Sequence, residues 1–314
     1  TKIQKPIMIS SIFERSNPLN FIILFLYLIL FLVLRQVLAA DFVLYTGVIT
    51  YMLKCIVVIL FCVIMVDFIV RKNELTQRNS YALFFFVLLF CLFPNIFMEL
   101  HVLLAQLFLL LAFRRLVSIR SNKDVEIKVF DATLWTLVAT YFYNWSILFI
   151  ILVFATMFLY KKNDYRNMLI PFVTLFTLSI LGFTYFYLTD QLHKIRELFD
   201  FQIDFVLDNY TNPRYFVPML FLVIMGGWAC AIFAFKKQSK SFKTRVPGIL
   251  LVITLITAVA VVLVSEVSNT SELLFSLFPL AVIQARFVER IKLNWLKELI
   301  LWCYISTPVL ILFL

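Results

Sequence analysis

Residues 196–216 read RELFDFQIDFVLDNYTNPRYF, and the acidic side chains of this segment recur at helical spacing. Intervals of three and four residues place side chains on one face of a helix. Such an acidic face can bind a cation or the basic side chains of a partner. A metal site needs converging ligands, whereas a helix at about 1.5 Å per residue spreads these carboxylates over about 16 Å. We therefore predict that the face binds a basic protein partner. The four acidic residues are Glu197, Asp200, Asp204 and Asp208.

A second set of residues has the types needed for chemistry on a lipid phosphate. In an enzyme, Asp41 would act as the general base, while His101 and Lys54 would hold the phosphate. Lys54 lies inside an apolar segment and needs a counter-charge, for which Glu99 and Asp41 are candidates. The alternative is that these charges pair with one another and reach the headgroups. The polar cluster predicted around them also contains Arg35, Glu99, His193 and Arg196.

The amino-acid composition indicates whether these residues are surrounded by water or by lipid. Apolar residues make up 63% of the 314, and charged residues 15%. Soluble domains have about 45–50% apolar and about 25% charged residues. The excess is concentrated in long unbroken apolar runs, which are typical of membrane-spanning helices and lack the alternation of a β-barrel. The sequence predicts an all-α, polytopic transmembrane helical bundle.

Hydropathy predicts about eleven membrane segments in a single integral membrane domain, residues 1–314, with no soluble domain. The longest polar segment, 189–215, is predicted to be an extracytoplasmic amphipathic loop or helix. The predicted segments are 19–38, 46–69, 80–94, 98–113, 130–143, 146–160, 168–188, 216–235, 247–265, 272–286 and 298–314.

Basic residues alternate with these segments in a regular way. The segment before the first crossing and the loops 71–78, 114–128, 161–166, 236–245 and 286–297 hold 23 of the 28 Lys and Arg. Such loops stay on the cytoplasmic side of a membrane. The sequence therefore predicts a membrane protein with a cytoplasmic N-terminus and an extracytoplasmic C-terminus. The net charge of +10 is explained by this orientation, so we predict contact with the lipid bilayer and no nucleic-acid partner.

Two apolar runs are too long to be single crossings. The run 130–160 would reach about 46 Å as one helix at about 1.5 Å per residue, whereas the hydrocarbon core is about 30 Å thick. Basic residues flank the run on both sides, so both of its ends belong on the same side. We predict a short-helix hairpin that turns at Asn144–Trp145. A second hairpin, 80–113, is predicted to bend at Pro94–Asn95, because proline breaks the helical hydrogen-bond ladder.

Other signals are local and structural. Asp67 lies four residues before Arg71, which predicts an ion pair within one helix. Asp131 falls at the start of a predicted segment, where a carboxylate stabilises a helix N-terminus. The sequence contains no nucleotide-binding, hydrolase or zinc motif. We predict no metal and no cofactor, with a bound lipid or polyprenyl phosphate retained as an alternative.

Two resemblances add expectations. The segments MISSIFERSNPLNFIILF, LFPLAVIQARFVERIK and the long stretch beginning FRRLVSIRSNKDVEIKVFDATLW resemble an uncharacterised inner-membrane family of Bacteroidota. The short-helix hairpin followed by a basic loop also resembles polyprenyl-dependent glycosyltransferases of the GT-C type. Those enzymes carry acidic catalytic residues in a longer first outer loop. Here that loop is VLAADFVLYT, with Asp41 as its one acid.

Three functions remain open from the sequence. A non-catalytic subunit of a cell-envelope assembly complex fits the absence of catalytic motifs and the acidic face. It also fits the short helices, whose ends must be covered by protein or water within the membrane. A GT-C-like glycosyltransferase would use a polyprenyl-phosphate-linked sugar in an outer-leaflet cleft. A transporter or channel is the third, although charges at mid-depth in the predicted segments are sparse. Whether the protein is an enzyme stays open at this point.

Overall fold

The computed structural model describes residues 8–38, 46–193, 195, 213–235, 242–265 and 270–313. All regular structure in these residues is helical, as the composition predicts. The α-helices within them are α1 Ile9–Phe13, α2 Pro18–Leu38, α3 Thr46–Lys72, α4 Tyr81–Cys91, α5 Leu100–Ser118, α6 Val125–Phe142, α7 Ile150–Leu159, α8 Tyr165–Leu188, α9 Pro213–Phe235, α10 Phe242–Val264, α11 Leu274–Glu289 and α12 Asn294–Ile311.

Seven helices within the described residues are long and apolar enough to cross a membrane. They span Pro18–Leu38, Gly47–Lys72, Leu100–Ser121, Tyr165–Leu188, Pro213–Phe233, Arg245–Val264 and Ser271–Glu289. Two shorter apolar helices, Tyr81–Cys91 and Asn144–Leu159, accompany them. These lengths and compositions are those of an integral membrane protein. The predicted count of about eleven membrane segments goes beyond these seven and stays a prediction.

Both predicted hairpins are interrupted by short 3-10 helices. Pro94–Met98 separates α4 from α5, and Asn144–Phe149 separates α6 from α7, which are the places where the sequence predicts the turns. Proline at position 94 cannot donate a backbone hydrogen bond, so α4 ends before it. Helix α6 begins at Val125, five residues before the predicted segment, after Asp124 in the left-handed region with φ 48°.

The core is built around α4 and α11. Every residue of α4 is buried, and this helix packs against α11 and also against α2, α3 and α12. Phe85 of α4 meets Tyr304 of α12 edge to face, with ring centroids 4.8 Å apart. Eleven residues extend for only about 16 Å, roughly half of the hydrocarbon thickness. Because protein surrounds α4 on all sides, its short length leaves no backbone facing lipid.

Helices α2, α8 and α9 form the periphery and expose apolar faces. Leu169, Phe176 and Phe183 of α8 are among its exposed residues, with Phe176 68% exposed. An apolar face outside the core is expected where the surrounding solvent is lipid rather than water. These exposed rows indicate which helices face the bilayer.

The direction in which the chain runs along each helix assigns every turn to one of two ends of the bundle. One end holds α1 and the turns that follow α3, α5, α7 and α11, together with most of the described Lys and Arg; we call it the basic end. The other end holds the two 3-10 turns Pro94–Met98 and Asn144–Phe149 and the start of α3, and we call it the opposite end.

Candidate functional site

The predicted polar cluster lies in part at the opposite end. Arg35 is in the last turn of α2, Lys54 is in the first half of α3, and His101 is in the first turn of α5. The starts of α3 and α5 are tied together, since the backbone N–H of Leu100 donates to Tyr51 Oη at 3.2 Å. The fold therefore brings these elements to one end.

Within this group the closest charged pair is local. His101 Nδ1 lies 3.3 Å from Glu99 Oε2, and the two side chains are 50% and 26% exposed. Lys54 is exposed on α3, and no carboxylate of the described residues lies within salt-bridge distance of its ammonium. Glu99, one of the two predicted counter-charges for Lys54, thus pairs with His101 instead.

Arg35 is half-buried between α2 and α3. It lines a cavity of about 10 Å³ together with Gln36, Met52 and Cys55. Such a volume holds about one water molecule and is too small for a sugar or a lipid phosphate. Arg214, at the start of α9, is close enough to act on Arg35 electrostatically. Arg35, Arg214 and Lys54 are the Lys and Arg residues described at the opposite end.

Several predicted site residues lie outside the described residues, and their predictions stay untested. His193 is described and exposed, just beyond the end of α8. Asp41, the predicted general base, is one of the undescribed residues, so the structure gives no distance from it to His101 or Lys54. The residues in question are Asp41, Arg196, Glu197, Asp200, Asp204 and Asp208.

The opposite end also contains a buried polar group that the sequence interpretation missed. Tyr143, at the end of α6, shares a short hydrogen bond with the Oγ of Ser265, at the end of α10. Glu272 is 1% exposed in the 3-10 turn Ser271–Leu273, just before α11, and acts on Tyr143 electrostatically. The sequence signal for this buried group is in the segment SNTSELLFSLFP, where a carboxylate lies at the beginning of a helical segment. This signal is weak, because position 272 lies at the edge of a predicted apolar segment, where acids are common.

At the basic end, Glu289 joins two elements that are far apart in sequence. Its Oε1 accepts hydrogen bonds from Asn79 Nδ2 at 2.6 Å and from the backbone N–H of Gln77 at 2.9 Å. Arg286, one turn earlier, donates from Nε to the carbonyl of Leu75. The turn 73–80 is therefore fastened to the end of α11 by both charged side chains.

A second group of hydrogen bonds fixes α1 to the same end. Asn20 Nδ2 contacts the carbonyl oxygens of Ile12 and Arg15 at 2.9 and 2.8 Å, and Tyr81 Oη donates to the carbonyl of Ser10 at 2.9 Å. The backbone N–H of Ser10 donates to Glu298 at 2.7 Å. Together these bonds join α1, α2, α4 and α12.

The two acids predicted to have local roles at the basic end behave differently. Asp67 pairs with Arg71 at 2.7 Å within α3, which confirms the prediction. Asp131 lies in the second turn of α6 and pairs with Arg115 of α5 at 2.9 Å. The prediction that Asp131 starts a helix was wrong, because α6 begins six residues earlier and the carboxylate serves a contact between helices instead.

Comparison with known proteins gives a family and no function. The family of unknown function DUF6427 matches residues 13–314. No curated protein and no solved structure matches the chain.

Proposed function

Because the chain belongs to the DUF6427 family of unknown function, we propose its function from the arrangement of its residues: a non-catalytic subunit of a cell-envelope assembly complex that docks a protein partner through its opposite end. The observation that carries this proposal is the exposure of Lys54 on α3. The residue lies eight positions after Thr46, about 12 Å along the helix at about 1.5 Å per residue.

A charged side chain at this depth is costly in a bilayer, and such residues mark functional contacts by default. Leu53 beside it is 62% exposed and apolar, as expected of a surface covered by lipid or by another membrane helix. A partner helix that carries a carboxylate would both cover this face and neutralise the ammonium. The half-buried Arg35 adds a second positive charge at the same end, near the end of α2.

The orientation in the membrane forms part of the proposal. We place the basic end in the cytoplasm and the opposite end outside, in the inner membrane of a bacterium, as the Bacteroidota-like segments imply. Impermeant thiol labelling of spheroplasts tests this with a cysteine at Ser239 or at Asp208, in a variant lacking the five native cysteines. Labelling at 208 and protection at 239 are expected. The reverse pattern would contradict the orientation.

Copurification tests the docking function. The protein is purified in a mild detergent with Lys54 unchanged, or as Lys54→Leu, Lys54→Arg or Lys72→Leu. Mass spectrometry then measures the stoichiometry of bound proteins. Removing one member of a buried ion pair across an interface costs about 2–5 kcal/mol, so Lys54→Leu is expected to reduce partner recovery about tenfold or more.

The other two variants act as controls. Lys54→Arg keeps the charge and is expected to retain the partner. Lys72→Leu removes a lysine from the basic end of the same helix and is expected to have no effect. A wild-type protein that purifies without any stoichiometric partner, or a Lys54→Leu variant that keeps it in full, would overturn the proposal.

A further inference from the structure

Helices α6 and α8 border a wide, open groove at the basic end that the docking function does not use. It consists of two adjoining cavities of about 340 Å³ and about 330 Å³. Glu126 and Ile127 line both, so the two are continuous. Ligand sites typically measure about 300–1,000 Å³, which makes the groove large enough for a small amphipathic molecule.

The first cavity is polar and mainly acidic. Three carboxylates line it, from Asp124, Glu126 and Asp164, against one ammonium from Lys162. Lys128 lies nearby and interacts electrostatically with Asp124, while its Nζ donates to the carbonyl of Ser118 at 3.0 Å and to Ser121 Oγ at 2.6 Å, so the carboxylates still outnumber the ammonium groups. This cavity therefore favours a ligand that carries a positive charge.

Asn167 adds an unused acceptor to the same cavity. The side chain is 6% exposed, and its Nδ2 donates to the carbonyl of Lys162 at 3.0 Å. That bond fixes the amide orientation, because the flipped amide would place two acceptors against each other. Its Oδ1 has no hydrogen-bond partner among the described residues. A buried acceptor without a donor is destabilising, and a ligand N–H that reached this atom would supply the donor.

The second cavity is apolar and lies further along both helices. Phe130 of α6 and Leu169, Ile170 and Val173 of α8 line it, beside Arg166 near its polar edge. Leu169 and Val173 are 56% and 57% exposed, so the cavity opens toward the lipid-facing side of α8. From Asp164 to Val173 the helix rises about 13 Å at about 1.5 Å per residue. The groove thus changes from polar to apolar over the depth of a headgroup and the start of an acyl chain.

We propose that this groove binds a phospholipid with a primary-amine headgroup, of the phosphatidylethanolamine class. Its ammonium donates to the carboxylates of Asp124 and Asp164 and to Asn167 Oδ1, and Lys162 and Arg166 contact its phosphate. One acyl chain follows the apolar cavity along α8. A choline headgroup has no N–H to donate, and an anionic headgroup meets three carboxylates.

A divalent cation fits the groove less well. Among the described residues, no group of three or more His, Cys, Asp and Glu side chains converges closely enough to hold a metal ion. A metal would also leave the apolar cavity unexplained. The continuity of the two cavities is what favours a lipid over an ion.

Native mass spectrometry of the delipidated full-length protein tests the proposal. Phosphatidylethanolamine, phosphatidylcholine and phosphatidylglycerol with identical acyl chains are added in equal amounts, and glycerophosphoethanolamine serves as the headgroup without chains. A charge-assisted hydrogen bond is worth about 1.5–3 kcal/mol, so phosphatidylethanolamine is expected to bind about tenfold better than phosphatidylcholine. The chain-free headgroup is expected not to bind measurably.

Two variants separate the polar and apolar halves of the site. Asp124→Asn/Asp164→Asn is expected to abolish the preference for the amine headgroup. Asparagine tolerates the left-handed φ at 124, and Asp164 makes no side-chain capping bond, so the fold is expected to survive. Val173→Trp fills the apolar cavity and is expected to reduce binding of all three lipids.

Matched controls change the same properties elsewhere. Glu14→Gln/Glu74→Gln removes two exposed carboxylates from the same end, and Leu181→Trp adds the same bulk to a distant exposed position of α8. Both controls are expected to bind lipid as the wild type does. Equal binding of the ethanolamine and choline lipids by the wild type, or a preference that survives Asp124→Asn/Asp164→Asn, would overturn the proposal.

Discussion

The two ends of the bundle are held together in different ways. At the basic end, hydrogen bonds join residues more than 200 positions apart, as between Asn79 and Glu289, and α1 is fastened to α12 through Glu298. At the opposite end, Glu99 pairs locally with His101 and Lys54 lies exposed, while Glu272 is buried and acts on Tyr143.

This difference separates fixed structure from a surface for binding. Side chains whose polar atoms are hydrogen-bonded within the protein have little capacity left to bind another molecule. The hydrogen bonds that Glu289 accepts from Gln77 and Asn79, which we call the latch, are therefore structural. Exposed charges at the opposite end keep their binding capacity. The groove between α6 and α8 is an exception at the basic end, because Asn167 Oδ1 has no hydrogen-bond partner among the described residues. The predictions below test this division, from the largest expected effect to the smallest.

Breaking the latch is expected to have the largest effect on stability. Glu289→Ala removes the acceptor of two hydrogen bonds, each worth about 1.5–3 kcal/mol because the acceptor is charged. We expect the free energy of unfolding to fall by about 3 kcal/mol in an SDS titration of mixed micelles. Glu74→Ala, an exposed glutamate in the adjoining turn, serves as the control and is expected to change it by less than about 0.5 kcal/mol. Equal effects of the two variants would show that the latch contributes nothing.

Reversing the acidic face tests the partner side of the comparison. Replacing Glu197, Asp200, Asp204 and Asp208 by lysine is expected to release a basic partner, because repulsion replaces attraction. Exposed pairs are worth about 0–1 kcal/mol each, so we expect a combined loss of about 2 kcal/mol and little effect from one substitution. Copurification at low and high salt measures this. Membrane insertion should be unchanged, and retention of every partner would reduce the face to a solvated surface.

Two tyrosines allow one hydrogen bond to be compared between the ends. Tyr143→Phe removes the bond to Ser265 at the opposite end, and Tyr81→Phe removes the bond to the carbonyl of Ser10 at the basic end. Each is expected to lower the free energy of unfolding by about 1 kcal/mol in the same SDS titration. A much larger loss for Tyr143→Phe would show that the opposite end is as firmly latched as the basic end.

The smallest effect is expected for Asp41→Asn. A docking subunit has no general base, so complementation of a deletion strain should match the wild type with equal protein in the membrane. Removing a catalytic base would instead slow turnover about a hundredfold to ten-thousandfold. Loss of complementation by folded protein would therefore revive the glycosyltransferase alternative, with Asp41 as its base.

Much of the fold follows from local sequence. Apolar runs longer than the bilayer is thick must turn, and Pro94 and Asn144–Trp145 mark where they do. The hydropathy of the sequence does not indicate which helices lie in the core of the bundle. The runs of α4 and α8 are both apolar, yet α4 is fully buried and α8 is mostly exposed. In lipid both environments suit an apolar side chain, so hydropathy alone does not separate them.

The candidate site was predicted less completely for a related reason. Lys54 and His101 stand out because charged residues are rare in apolar segments, and the fold places both at the same end. Glu272, Asn79 and Glu289 were missed because acids and amides near segment ends look like ordinary headgroup-level residues. Their burial depends on contacts with distant parts of the chain, which one sequence without pairing information does not specify.

The short central helix also has a consequence for synthesis. Helix α4 packs chiefly on α11, which leaves the ribosome roughly 180 residues later, about 10–35 s at roughly 5–20 residues per second. During that interval α2 and α3 are the α-helices already made that pack on α4, so a helix about half as long as the bilayer is thick lacks its main cover. The nascent chain must therefore keep α4 against α2 and α3, or shelter it within the insertion machinery, until α11 arrives. A chain that stops before α11 would carry an open core and become a substrate for membrane proteases.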